Sequence, residues 1–182
     1  MPRPRREQFA GAIYHLMARG VRGEPLFTDH REPPHFLRLL SQTCARYDWL
    51  LYAYCLMGNH YHLLATTRKP TLSRGMQWLN SRYAESLNIR HGHQGHAFFR
   101  RFHAVLIESE AQLADVARYV LLNPVRAHLC ERPGDWRWSS YRATMGEAQQ
   151  PAFLASDWLL GQFGHELPHA RANFSTFMSE AE

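Results

Sequence analysis

Two apolar runs, WLLYAYCLM at 49–57 and HYHLLATT at 60–67, are separated only by Gly58 and Asn59. This segment constrains the fold more than any other. A Gly-Asn link between two such runs signals a β-hairpin, because both residues accept the backbone angles of a tight turn. The first run is apolar at almost every position and rich in aromatic residues, which fits a strand covered on both faces. The return strand is different. Its first three residues are His60, Tyr61 and His62.

Side chains alternate along a strand, so His60 and His62 share a face, roughly 6–7 Å apart along the chain. Both imidazoles can reach one cation. Tyr61 and Leu63 point the other way, toward a core. The pair alone leaves two readings open: two neutral nitrogen ligands on one strand face, or two histidines that happen to lie in a sheet.

The remaining segments fall into a recognisable order. GAIYHLMARG at 11–20 reads as a strand, and REPPHFLRLLSQTCARYD at 31–48 as a helix. Pro33 and Pro34 suit that helix's first turn, where a missing N–H costs nothing. TLSRGMQWLNSRYAESLNIRHG at 71–92 reads as a second helix, with Leu72, Met76, Leu79, Tyr83 and Leu87 on one side. GHQGHAFF is a loop, and RFHAVLIES at 101–109 a fourth strand. A third helix follows, started by a capping box of Ser109 and Gln112. The order β-α-β-β-α-β is the split βαβ, ferredoxin-like arrangement of an α+β domain. Its two standard helices cover one face of an antiparallel sheet, the histidine strand lies in the interior, and the third helix is left for the opposite face.

Composition bears on partners. Residues 1–146 carry 20 basic and 11 acidic side chains, whereas residues 147–182 carry one basic and five acidic. All the cations but Lys69 are arginine, whose planar fork grips phosphates and guanine edges at two points. A basic body with this bias suggests nucleic acid, although codon bias also raises an Arg/Lys ratio. The 182 residues suit one domain, 1–146, with a helical C-terminal appendage, 147–182. Ser156 is a candidate cap for that appendage's first helix, and Trp158, Leu159 and Phe163 give it an apolar face. The spaced cysteines Cys44, Cys55 and Cys130 form no C-x-x-C pair and read as free thiols in a reducing compartment. No run is apolar enough to span a membrane and no signal segment follows the basic start, so the expected location is the cytoplasm.

Chemistry on a phosphodiester needs a nucleophile and a grip. The third helix offers both in ADVARYVLLNPVRAHL. Tyr119 and Asn123 are four residues apart and share a helical face. Pro124 predicts a kink, or a fresh helix start capped by Asn123, with Arg126 close by. Taken alone, Tyr119 also reads as a packing aromatic. His15 and His103 on their strands read as structural, and the histidines of HGHQGH at 91–96 as part of a turn.

The segments YHLMARG (14–20), LMGNHYHLL (56–64), GHAFFRRF (95–102), RYVLLNPVRA and WRWSSYRA (within 118–143) occur in this order. Together they resemble the REP-associated tyrosine transposases, a branch of the single-tyrosine HUH transposases, over residues 12–145. The resemblance implies that His60 and His62 bind a divalent ion, Mg²⁺ or Mn²⁺, with Asn123 as a further ligand, and that Tyr119 is the nucleophile. It implies single-stranded or hairpin DNA as partner, with nicking and rejoining through a 5′-phosphotyrosine, in a cytoplasmic, nucleoid-associated protein working as monomer or dimer. Arg19, Arg22, Arg100, Arg101, Arg118 and Arg126 are the candidate DNA contacts. Trp78, Phe98 or Phe99 are available for stacking, and the PRPRR start for further phosphate contacts. Three positions depart from the family pattern: Tyr61 replaces a bulky aliphatic, Gly58 replaces a proline, and Asn123 stands where relatives carry glutamine. A hairpin-binding protein without catalysis and a zinc hydrolase remain as competing readings.

Overall fold

The computed structural model describes residues 7–180, so the PRPRR segment lies outside the described residues. The elements follow the expected order: β1 (Ala12–Arg19), α1 (Glu32–Tyr47), β2 (Trp49–Leu56), β3 (His60–Thr67), α2 (Leu72–His91), β4 (His103–Ile107) and α3 (Glu110–Arg126). Three further helices close the chain: α4 (Tyr141–Met145), α5 (Ser156–Leu160) and α6 (Leu167–Ser179). The four strands form one antiparallel sheet in the order β2-β3-β1-β4, which puts β3 inside.

Each face of the sheet is covered by its own layer. On one face, Tyr14, Leu16, Tyr61 and Leu63 pack with Phe36, Leu40, Met76 and Tyr83 of α1 and α2. On the other, Ala53, Cys55 and Leu64 pack with Leu113, Ala117, Val120 and Leu121 of α3. Leu159 and Leu160 of α5 and Phe174 and Met178 of α6 join this second layer, so residues beyond 146 share the core of α3. A register shift between Leu51 and Ala53 lets Tyr52 turn to the second layer, as an extra residue in a bulged strand does. There Tyr52 stacks on Trp158 at 4.5 Å.

The outer edge of β2 is not left open. Leu56 N–H donates to the Trp138 carbonyl, Ser140 N–H to Tyr54, and Leu51 N–H to Phe153. The indole of Trp136 donates to the Leu56 carbonyl. The segment WRWSSYRA therefore works as an edge cover, which blocks further strand pairing there.

Three local expectations need correction. Helix α3 runs unbroken through Pro124 to Arg126, and Asn123 lies inside it rather than capping a new helix. Pro124 sits in the last turn, where only one backbone bond is forfeited. The Gln112 side chain accepts from Glu108 N–H, one residue before the cap, while Ser109 accepts from Gln112 N–H as expected. Ser156 is not a cap: Ala155 holds that position, and the Ser156 hydroxyl donates to Gln150.

The loop between β1 and α1 is tied down by one buried carboxylate. Glu32 is 1% exposed. It accepts from the N–H and hydroxyl of Thr28, from Asp29 N–H, and from His91 Nε2 at 2.6 Å at the end of α2. Burial opposes its ionisation, but these bonds outweigh burial and hold the carboxyl below its ordinary value. A group depressed in the folded state stabilises fully above its unfolded pKa, about 4.3, and loses that contribution as pH falls through the folded value. Thermal unfolding from about pH 7 to about pH 3 should show wild-type stability falling in the acid limb. Glu32→Gln should lie about 1–3 kcal/mol lower at neutral pH, because it loses charge-assisted bonds, and should be flatter in that limb.

Candidate functional site

The pairing of β1 with β3 assembles the site. Arg19 lies opposite His60, Met17 opposite His62, and His15 opposite Leu64. Odd positions of β1 and even positions of β3 therefore share the face toward α3. Tyr61 lies on the other face, fully buried, with its hydroxyl bonded to Asn80 of α2. It is a core residue, and burial pushes its hydroxyl pKa far up, so it is no rival nucleophile.

Each histidine of the pair has its Nδ1 engaged. His60 Nδ1 lies 2.7 Å from Asn59 Oδ1. Asn59 in turn donates its amide to the Gly23 carbonyl at 3.1 Å, which fixes the amide's orientation and leaves Oδ1 as the acceptor. His62 Nδ1 lies 2.9 Å from His15 Nε2. The two ring centroids lie 5.0 Å apart, and His60 has a further side-chain hydrogen bond to Asn123. Burial lowers the pKa of His60, with Arg19 adding to the effect and Asn123 opposing it. Burial lowers His62 to about 3, with His15 and His60 contributing, and His15 to about 4, with His103 contributing. All three rings are neutral at neutral pH, the form that ligates a metal.

Helix α3 brings the second half. The Tyr119 ring stands edge-on to His62 at 5.6 Å and to His15 at 5.8 Å. It is 40% exposed. The Arg126 guanidinium lies 5.4 Å from the ring centroid. Asn123 donates its amide N–H to the Tyr119 carbonyl at 3.1 Å and hydrogen-bonds His60. Two imidazoles, an amide, a phenol and a guanidinium thus meet at one end of the sheet. His15 is the residue that sequence reading missed. The available signal was the alternation of β1 combined with its antiparallel register, which puts His15 and Arg19 on the histidine face.

The six candidate arginines divide. Arg19 and Arg126 flank the histidine face. Arg100 and Arg101 line a groove of about 780 Å³ between α2 and the 95–102 loop, with Gln77, Asn80 and Phe99 among its other walls. Among the described residues, no acidic side chain lines that groove. Arg22 lines a neighbouring groove with His91 and His93. Arg118 is engaged inside the protein: its guanidinium lies 4.0 Å from the Phe177 ring centroid, donates to the Phe177 carbonyl, and pairs with Asp115 at 2.9 Å. Phe99 is exposed, whereas Trp78 and Phe98 are partly buried against the core.

Among the described residues no three His, Cys, Asp or Glu side chains converge as a metal set. A cation here would rest on two imidazole nitrogens and the Asn123 amide oxygen. That neutral donor set fits a divalent ion that keeps open positions for water or phosphate oxygen. The bonded Nδ1 atoms orient both rings for it.

A family model described as "Transposase IS200 like" matches residues 8–123, a span that contains both histidines, Tyr119 and Asn123. Among solved structures, a REP-associated tyrosine transposase bound to a REP hairpin superposes with a TM-score of 0.70. It is 15% identical, over 85% of this chain and 92% of that one. A putative transposase from Deinococcus radiodurans R1 gives a TM-score of 0.45 at 14% identity, over 65% of this chain and 95% of that one. At these identities likeness bears on the fold alone, and it is the first structure that carries it. No curated protein sequence matches this chain. Mn²⁺ titration followed by electron paramagnetic resonance should show a site that His60→Ala and His62→Ala each weaken by at least about tenfold. Equal affinity in wild type and both variants would remove the ion from this face.

Proposed function

Given that the chain belongs to the IS200-like transposase family, we propose that it cuts and rejoins single-stranded DNA at hairpin-forming repeats through a covalent link to Tyr119. The observation that carries this reading is the Tyr119 ring standing against His62 and beside Arg126. The fold shared with a transposase bound to a REP hairpin supports a hairpin substrate.

A divalent ion, Mg²⁺ or Mn²⁺, held by His60, His62 and Asn123 would draw charge from a non-bridging phosphate oxygen. The rest falls to the chain's own groups. Arg19 and Arg126 neutralise and orient the phosphate on either side of the histidine face. Tyr119 Oη, losing its proton, attacks phosphorus. The new Oη–P bond replaces the P–O3′ bond, the departing oxygen takes a proton to become a 3′-OH, and the 5′ side remains on the enzyme. A later 3′-OH attacks the same phosphorus, releases the tyrosine, and rejoins DNA. One phosphodiester is exchanged for another, so no nucleotide energy source is required.

The groove along α2 is the proposed path for unpaired DNA: Arg100 and Arg101 meet phosphates and Phe99 offers a face for a base. Arg22 extends that basic edge. Arg118, held by Phe177, contributes by fixing α3 against α6 rather than by contacting DNA. Residues 1–146 carry the chemistry in this reading, and 147–182 brace the helix that bears Tyr119. Within the described residues no helix is long and apolar enough to cross a membrane; it is the proposed substrate, chromosomal DNA, that implies action in the cytoplasm.

Incubated with Mn²⁺ and a hairpin bearing single-stranded flanks, the protein should form a covalent adduct that survives denaturing electrophoresis. Tyr119→Phe should abolish it. An undiminished adduct would sink the assignment, and tight binding by a wild type that forms no adduct would select a binding protein. His60→Ala and His62→Ala should lose cleavage far more than DNA affinity. Arg100→Ala/Arg101→Ala should weaken binding and reduce the slope of log affinity against log salt by about one per lost phosphate contact.

A further inference from the structure

His15 has no role in the chemistry above, yet it touches both halves of the site. It projects from β1 onto the histidine face, with Nε2 2.9 Å from His62 Nδ1 and the two rings 19° from parallel. Its ring also meets the Tyr119 ring edge-on at 5.8 Å. It is therefore in contact with a proposed ligand on its own sheet and with the proposed nucleophile on the opposing helix.

Proton bookkeeping fixes what that contact does. A neutral imidazole carries one N–H and one lone pair. For His62 to offer Nε2 to a cation, its proton must sit on Nδ1, and there it faces His15 Nε2. His15 must then accept, with its own proton on Nδ1. His60 solves the same problem with a different acceptor, the Asn59 amide oxygen. The two ligands are held by unlike partners, one from the hairpin turn and one from the neighbouring strand.

We propose that His15 is a positioning residue: it accepts the Nδ1 proton of His62, so that Nε2 of His62 is presented to the ion, and its ring edge seats Tyr119 beside that nitrogen. The ion rests on the function proposed above, whereas the proton assignment does not. A partner of this kind typically supports ligand affinity by about 10- to 100-fold.

Two measurements separate these parts. Long-range ¹H–¹⁵N spectra of the metal-free protein report the tautomer of each histidine. His62 should be protonated at Nδ1 in wild type, shift toward a mixture or the other tautomer in His15→Leu, and return in His15→Gln, whose amide oxygen can accept the same proton. Mn²⁺ affinity without DNA should fall about 10- to 100-fold in His15→Leu and stay within about threefold of wild type in His15→Gln. A folded His15→Leu protein with unchanged tautomer and unchanged Mn²⁺ affinity would overturn the proposal. If wild type binds no Mn²⁺, the metal part of the function fails and the tautomer result alone judges His15. If the leucine variant does not fold, an Nε2-protonated His62 in wild type still overturns it.

Discussion

The register of β3 against β1 is the constraint on which the rest of the structure depends. Because side chains alternate, a one-residue slip would exchange the two faces of β3. Tyr61 and Leu63 would then meet α3, and His60 and His62 would be driven among Phe36 and Tyr83. Tyr61 guards against this. Its ring is buried in the α1–α2 core and its hydroxyl finds a partner in Asn80. The buried polar tip has one good partner, and leaving it unmet elsewhere in the core would cost about 1–3 kcal/mol. Tyr61, between the two histidines, thus pins the face that His60 and His62 share.

From that register the site follows by packing. At one corner of the second layer the rings of His15, His62 and Tyr119 meet. Helix α3 is set by Leu113, Ala117, Val120 and Leu121 against the sheet and by α6 against its flank. The Arg118–Phe177 contact explains how an acidic C-terminal segment with a single arginine serves a basic protein: it need not touch DNA to matter. Burial then lowers the basicity of the three histidines, and keeps His60 and His62 neutral where a cation would need their lone pairs.

The sheet's edges illustrate the same economy. WRWSSYRA, whose sequence offered no chemistry, closes the open side of β2. Glu32 and His91 join the β1–α1 loop to the end of α2, beside the groove that Arg22 helps to line. The arginines could not be sorted from sequence because their roles depend on neighbours far along the chain. Arg126 and Arg118 are two helical turns apart on α3, yet one lies over Tyr119 and the other is locked onto Phe177.

The sequence by itself determined the element order, the hairpin at Gly58-Asn59, the inward aim of Tyr61 and the shared face of His60 and His62. All of these rest on local periodicity or a two-residue turn, which need no knowledge of distant residues. It also put Tyr119 and Asn123 on one helical face. The tertiary structure decided the rest. Unbroken passage of α3 through Pro124 was a matter of where the proline falls relative to the helix end and the core that holds it. The entry of His15 into the site required the antiparallel pairing of β1 with β3 and the docking of α3 across both. Those are contacts between residues 47 and 104 positions apart in the chain, which no short window of sequence contains.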